Sequence, residues 1–177
     1  MQLMSDAYRV LNEQLHSERA DYGAKGSRWA NHVNQIIRNF NIKTVLDYGC
    51  GKGTLGQVIS SSVKEVQNYD MCVPGFTKRP HSAQLVVCTD VLEHVEPECE
   101  DNVLYDIASL TERLVFFNIS LRPALKTLPD GRNTHINIKS QNAWLKKILN
   151  YFAIMEFNLV YESDKLYSFI FLGERLQ

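Results

Sequence analysis

Carboxylates and glycines make the first chemical pattern in the chain. Asp47 closes a short apolar run, and Gly49, Gly51, Gly53 and Gly56 follow it in VLDYGCGKGTLG, residues 45–56. Glycine accepts positive φ and carries no side chain, so a ligand can approach the backbone closely. In a strand–turn–helix unit such a turn lies at the carboxyl end of the strand, beside the helix N-terminus, where α/β sheets bind ligands. The spacing is G-x-G-x-G rather than G-x-G-x-x-G, and Lys52 precedes Gly53 instead of the serine or threonine of a phosphate loop. The next apolar run ends in Asp70, at about the 20-residue offset of a carboxylate that grips ribose hydroxyls. Asp47 beside the turn is a poor neighbour for pyrophosphate and a good one for an ammonium or sulfonium group. S-adenosylmethionine carries both cations and a ribose.

Two histidines are candidates for proton transfer, because imidazole titrates near neutral pH. His94 lies in TDVLEHVEPE and His135 in LPDGRNTHIN. The sequence does not choose between them. His135 belongs to a polar stretch, residues 120–139, in which Arg122, Lys126, Arg132, His135 and Lys139 face only Asp130 in opposition. Structureless connections of that length are uncommon and usually serve as lids or binding loops. An anion-binding loop and a solvated loop with ordinary charges both fit this composition.

The elements that position these residues alternate. Helices are expected at residues 5–21 and about 28–40, the second with Trp29, Val33, Ile36, Ile37 and Phe40 on one side. Strand KTVLDYG, helix TLGQVIS, strand KEVQNYD and the apolar strand AQLVVCTD follow. PECEDNVLYDIASL reads as a helix, RLVFFNIS as a strand, SQNAWLKKILNYF as a helix, and IMEFNLVYE with LYSFIFLG as a closing hairpin. Alternation implies an α/β, mostly parallel sheet with helices on both faces. The hairpin requires one antiparallel strand, expected at the sheet edge.

With 177 residues, one domain with a full core is expected, its N-terminal helical cap spanning residues 1–40 and its core residues 41–177. A formal charge of -1 gives no global field for nucleic acid. No apolar run is long enough to span a bilayer, and the polar N-terminus lacks a secretory core. None of the four cysteines forms a C-x-x-C pair and no metal-ligand pattern is evident, so reduced thiols in the cytoplasm and no metal are expected.

VLDYGCGKGTLG, the Tyr69–Asp70 pair and VVCTDVLEHVEPE resemble the first, second and fourth motifs of class I S-adenosylmethionine-dependent methyltransferases, and the closing hairpin is similar to the last two strands of that fold. LDYGCGKG with TDVLEHV and LPDGRNTH also resembles small methyltransferase-like proteins encoded by bacteriophages, which implies a host cytoplasm. The resemblance implies a Rossmann-like sheet, S-adenosylmethionine as cofactor, and methyl transfer to a small-molecule or nucleotide-like acceptor; a nucleic-acid acceptor or a non-catalytic binding module are the alternatives. It implies cofactor contacts from Asp47, Gly49, Cys50, Gly51, Gly53, Asp70, Met71, Asp90, Val91 and Leu92. Glu93, His94 and His135 are the implied catalytic candidates, and Tyr22, Arg122 and Arg132 the acceptor-binding ones. Only 14 residues, Met71 to Gln84, separate the second strand from the next, where the full fold has a helix, a strand and another helix. The middle of the sheet is therefore expected to be shortened. No N/D-P-P-Y/F/W segment and no Pro-Cys pair occurs, which removes the usual patterns for methylating nucleic-acid bases.

Overall fold

The computed structural model describes residues 1–177. Strands β1 (Thr44–Tyr48), β2 (Glu65–Tyr69), β3 (Ala83–Thr89), β4 (Thr111–Ser120), β5 (Phe152–Glu162) and β6 (Lys165–Arg175) form one sheet in the order β2-β1-β3-β4-β6-β5. The first four are parallel, and β6 runs antiparallel to both β4 and β5. The antiparallel strand is therefore interior, and β5 takes the edge, which corrects the expectation from the hairpin. The reason is burial. Phe169, Phe171 and Leu172 of β6 are buried, whereas Ile154, Met155, Leu159 and Tyr161 of β5 are exposed.

Alternation along the strands feeds two apolar layers, as the period of a pleated strand requires. Val45, Leu85 and Phe116 face α2 (Ala30–Phe40) and α3 (Thr54–Ile59), where Val33, Ile36, Leu55 and Ile59 meet them. Trp29 packs at the margin of this layer. Leu46, Val86 and Phe117 face α4 (Glu100–Leu110) and α5 (Gln141–Ile148), where Leu104, Ile107, Trp144 and Ile148 fill the space. Gly56 lets α3 lie close to β2, because a Cβ there would stand 2.4 Å from Asn68 Oδ1.

Residues 71–82 contain no helix or strand, so the shortened middle is real. Two contacts hold this loop. The Phe76 carbonyl accepts from the Asp70 N–H at 3.0 Å. Arg79 makes a bidentate pair with Asp106 on α4, at 2.6 and 2.7 Å, and the fully buried Asp106 also accepts from the Tyr48 hydroxyl.

Helix α1 (Asp6–Glu18) lies outside both layers. Ser5 caps it by accepting from the Tyr8 N–H, and Glu96 clamps Ser5 through its N–H and hydroxyl, both at 2.7 Å. The α1 side chains Tyr8 and Leu15 bury against Leu128, from the loop that follows β4, with Leu11, Tyr22 and Ile136 around them. That loop is built rather than merely solvated. Asn133 bridges Ala124 N–H and C=O and accepts from the His135 N–H, and a Thr127–Asn133 bridge closes the turn. Its far end is tied to α4, where buried Glu100 pairs with Lys139 and Lys147 and accepts from Asn137. The loop and α1 form a roof over the carboxyl ends of β1, β3 and β4.

Candidate functional site

A cavity of about 760 Å³ lies under that roof. Its walls come from strand ends: Asp47 to Gly51 after β1, Asp70 to Cys72 after β2, Thr89 to Val91 and His94 after β3, and Ser120 with Arg122 to Lys126 after β4. The N-terminal segment supplies His16, Tyr22, Gly23 and Arg28.

The glycine turn is shaped by two packing demands. Gly51 has φ +53°, and a Cβ on it would stand 2.3 Å from the Gly23 carbonyl oxygen. The Lys52 N–H donates to that same carbonyl at 2.8 Å. A Cβ on Gly49, at φ +74°, would strike the Val91 side chain at 2.3 Å. The bare backbone thus admits the N-terminal segment and the loop after β3 as well as a ligand. Gly49 and Cys50 N–H groups donate to the Tyr69 carbonyl, which joins the ends of β1 and β2.

Asp47 is buried at the cavity floor, and its Oδ2 has no hydrogen-bond partner. Burial, with Asp70 nearby, pushes its carboxyl up to about 7. An ionised carboxylate without a partner is costly in such a place. Asp70 is better satisfied: Oδ2 accepts from the Gly51 N–H at 3.0 Å and Oδ1 from the Cys72 N–H at 2.8 Å. Asp90 sits at φ +57° and pairs with Arg28 at 2.6 Å.

His94 and His135 are brought together, with ring centroids 4.6 Å apart at 86°. His135 Nδ1 lies 2.6 Å from the Arg122 carbonyl, which can only accept, so Nδ1 carries the proton and Nε2 keeps its lone pair. His94 Nδ1 lies 3.4 Å from the Tyr22 hydroxyl, and Tyr8 donates to the His94 carbonyl at 2.7 Å. Burial, then His135, pushes the His94 imidazole down to about 3; a hydrogen bond to the Thr134 backbone acts the other way. Burial also lowers His135, partly offset by the Arg122 carbonyl and Asp90. Both shifts favour the neutral imidazole. Glu93 lies behind them, fully buried and outside the cavity wall. Its Oε1 accepts from the Ser120 N–H at 3.0 Å, and its Oε2 has no partner. Burial, then Asp90, raises its carboxyl to about 8.

Of the expected cofactor residues, Asp47, Gly49, Cys50, Gly51, Asp70, Met71, Asp90 and Val91 line the cavity; Gly53 and Leu92 stand behind it. Tyr22 and Arg122 line it, with Arg122 paired to Glu162 and lying 3.9 Å over the Tyr167 ring. Arg132 does not; it pairs with Asp130 and lies over the Tyr8 ring on the roof. His16 and Arg28 were missed. His16 packs edge-on to Tyr22, with centroids 4.6 Å apart, and nothing local in the sequence of α1 marks it. Arg28 had a signal, since it follows the DYGAKGS break next to the second helix.

No family model matches the sequence, and no curated protein matches it. Solved structures do. The chain is similar to magnesium protoporphyrin IX methyltransferase from Synechocystis PCC 6803 with bound S-adenosylmethionine, at 17% identity and a TM-score of 0.66, covering 99% of this chain and 100% of that one. It is similar to 1,6-didemethyltoxoflavin-N1-methyltransferase from Burkholderia thailandensis, solved with 1,6-didemethyltoxoflavin and S-adenosylhomocysteine, at 13% identity and a TM-score of 0.70, covering 97% and 89%. The N-methyltransferase NodS from Bradyrhizobium japonicum WM9, in complex with S-adenosylhomocysteine, gives 10%, 0.67, and 98% and 100% coverage. These likenesses show the fold: a Rossmann-like methyltransferase sheet with a C-terminal antiparallel hairpin. No helix is long and apolar enough to cross a membrane.

Proposed function

We propose that this chain is an S-adenosylmethionine-dependent methyltransferase acting on a small-molecule or nucleotide-like acceptor. The observation that carries the reading is the partnerless carboxylate of Asp47, buried beside the glycine turn in the cavity wall. The cofactor's ammonium group would supply the missing charge. Asp70, at the end of the neighbouring strand β2, would take the ribose hydroxyls, and Met71, Cys72 and Val95 the apolar face of the adenine. The cavity volume of about 760 Å³ falls in the range of small-ligand sites. The neighbours solved with porphyrin- and toxoflavin-methylating activities support an acceptor of that class.

Methyl transfer is an in-line displacement: the acceptor atom bonds to the methyl carbon as the C–S bond breaks and the sulfonium becomes a neutral thioether. The cofactor supplies the activated methyl group. The protein's residues align and enclose it, which contributes several kcal/mol. Asp90 and Val91 flank the methionine part. Glu93, His94 and His135 form the acceptor side, with the free lone pair on His135 Nε2 as the proton acceptor. Tyr22 and Arg122 contact the acceptor, and Arg132 braces the roof. Of the expected cap, residues 1–40, α1 and the segment after it cover the site, whereas α2 packs into the sheet's apolar layer and belongs with the core, residues 41–177.

Calorimetry with S-adenosylhomocysteine, then a labelled-methyl assay against pooled metabolites, free nucleotides and nucleic acid, tests the reading. Micromolar binding and label in a small molecule are expected. No binding of either cofactor form would remove the proposal.

A further inference from the structure

Glu93, His94 and His135 each offer one donor atom, and the three atoms lie within 4.8 Å of one another. We propose that they form a binding site for one divalent transition-metal ion, and that its open positions take a hydroxyl oxygen of the methyl acceptor. The inference rests on the methyltransferase reading for its acceptor but not for its ligands.

Each donor is prepared in a different way. Glu93 is fully buried, and with Oε1 held by the Ser120 N–H its Oε2 is left with no protein partner. A buried carboxylate oxygen in that state calls for a cation. His135 spends its Nδ1 proton on the Arg122 carbonyl, which orients the ring and leaves Nε2 as a donor; metal-bound histidines are held in the same manner. His94 has the Tyr22 hydroxyl at a long 3.4 Å from Nδ1, and its ring also meets the Thr134 backbone. Ligands around one such ion stand roughly 3.4 Å apart, given bonds of about 2.1 Å, so small side-chain rotations close the set. Two imidazoles and one carboxylate suit manganese, iron, cobalt, nickel or zinc rather than calcium or magnesium.

The surrounding charges favour an oxygen acceptor. The cavity's Arg28, Arg122 and Lys126 are paired with Asp90, Glu162 and Asp21, which leaves Lys25 as the lining cation without an ion pair. Three ligands with one negative charge leave the ion a net positive charge beside His94 and His135. It lowers the pKa of a bound hydroxyl. The hydroxyl proton passes to water, the oxygen bonds to the methyl carbon, the C–S bond breaks, and a methyl ether and S-adenosylhomocysteine leave. With the ion bound, His135 Nε2 is a ligand and the proton needs no side-chain base.

The test is a titration of the untagged, chelator-treated chain with Co²⁺, read by visible absorption and calorimetry, with S-adenosylhomocysteine affinity measured in parallel. One ion per chain is expected. His135→Ala and Glu93→Gln should each weaken uptake by at least about tenfold, with cofactor affinity changed less than about twofold. Glu93 is a core position, so His135→Asn and the double variant His94→Asn/His135→Asn serve if Glu93→Gln does not fold. No uptake, or uptake unchanged in the double histidine variant, would overturn the metal site. Cofactor binding without metal uptake discards the site and leaves the methyltransferase reading; metal uptake without cofactor binding does the reverse.

Discussion

Asp47→Asn should weaken cofactor binding and stabilise the ligand-free protein at once. The side chain is buried at the cavity floor, and its carboxyl is pushed up from 3.8 to about 7 by burial and by Asp70. The folded state holds this proton more tightly than the unfolded chain. Stability from the group is therefore full below about pH 4, declines as pH rises towards 7, and stays lost above it. The gap corresponds to roughly 4 kcal/mol against the folded state at pH 8. Asparagine removes that charge but leaves a buried amide short of partners, at a cost of about 2 kcal/mol. The net gain at pH 8 is about 2 kcal/mol, or about 4–8 °C in melting temperature for a chain of this size. At pH 5 the gain should fall close to zero. Binding moves the other way. Losing a charge-assisted contact to the ammonium costs about 2–3 kcal/mol, roughly 30- to 150-fold in Kd at pH 8. In the unaltered protein, affinity should drop up to tenfold per pH unit below about 7, as Asp47 takes up its proton. Calorimetry with S-adenosylhomocysteine and thermal melts from pH 5 to 8 read both effects. Equal affinity in the variant, or a stability change that ignores pH, would refute the reasoning.

Further outcomes follow from packing. Arg79→Ala leaves Asp106 buried with only the Tyr48 hydroxyl, and urea unfolding should show a loss of about 2–3 kcal/mol, less than for a fully buried pair because Arg79 is half exposed. Gly51→Ala drives a methyl group into the Gly23 carbonyl at positive φ; cofactor binding should fall more than tenfold and the melting temperature should drop with it. Leu128→Ala opens the contact between α1 and the loop after β4, at about 2–3 kcal/mol if that contact melts with the rest. Proteolysis should then cut residues 121–139 faster than in the unaltered chain.

Much of the fold was legible because strands and helices carry a period. The glycine turn, Asp70 and the missing middle strand could each be read from composition and spacing. The inner place of β6 could have been: LYSFIFLG carries no charge and only Ser168 among aliphatic, aromatic and glycine residues, whereas IMEFNLVYE mixes in Glu156 and Asn158 and suits an edge. The roof was not legible. Residues 121–139 have no period, and their order comes from Asn133 bridging Ala124 within the loop and from Leu128 and Lys139 meeting partners far along the chain. Nor was the clamp of Glu96 on Ser5 legible; it spans 91 positions and has no local signal. The proton states of Asp47 and Glu93 were hidden too, since burial sets them and sequence shows only residue type.

The two halves of the roof lean on each other. Leu128 buries among Tyr8 and Leu15, and Lys126 reaches Asp21 at 2.7 Å. Neither segment has an apolar layer of its own. Lifting one strips the other of its support, so on the methyltransferase reading proposed above the two would have to part together, like the leaves of one door, for spent cofactor to leave.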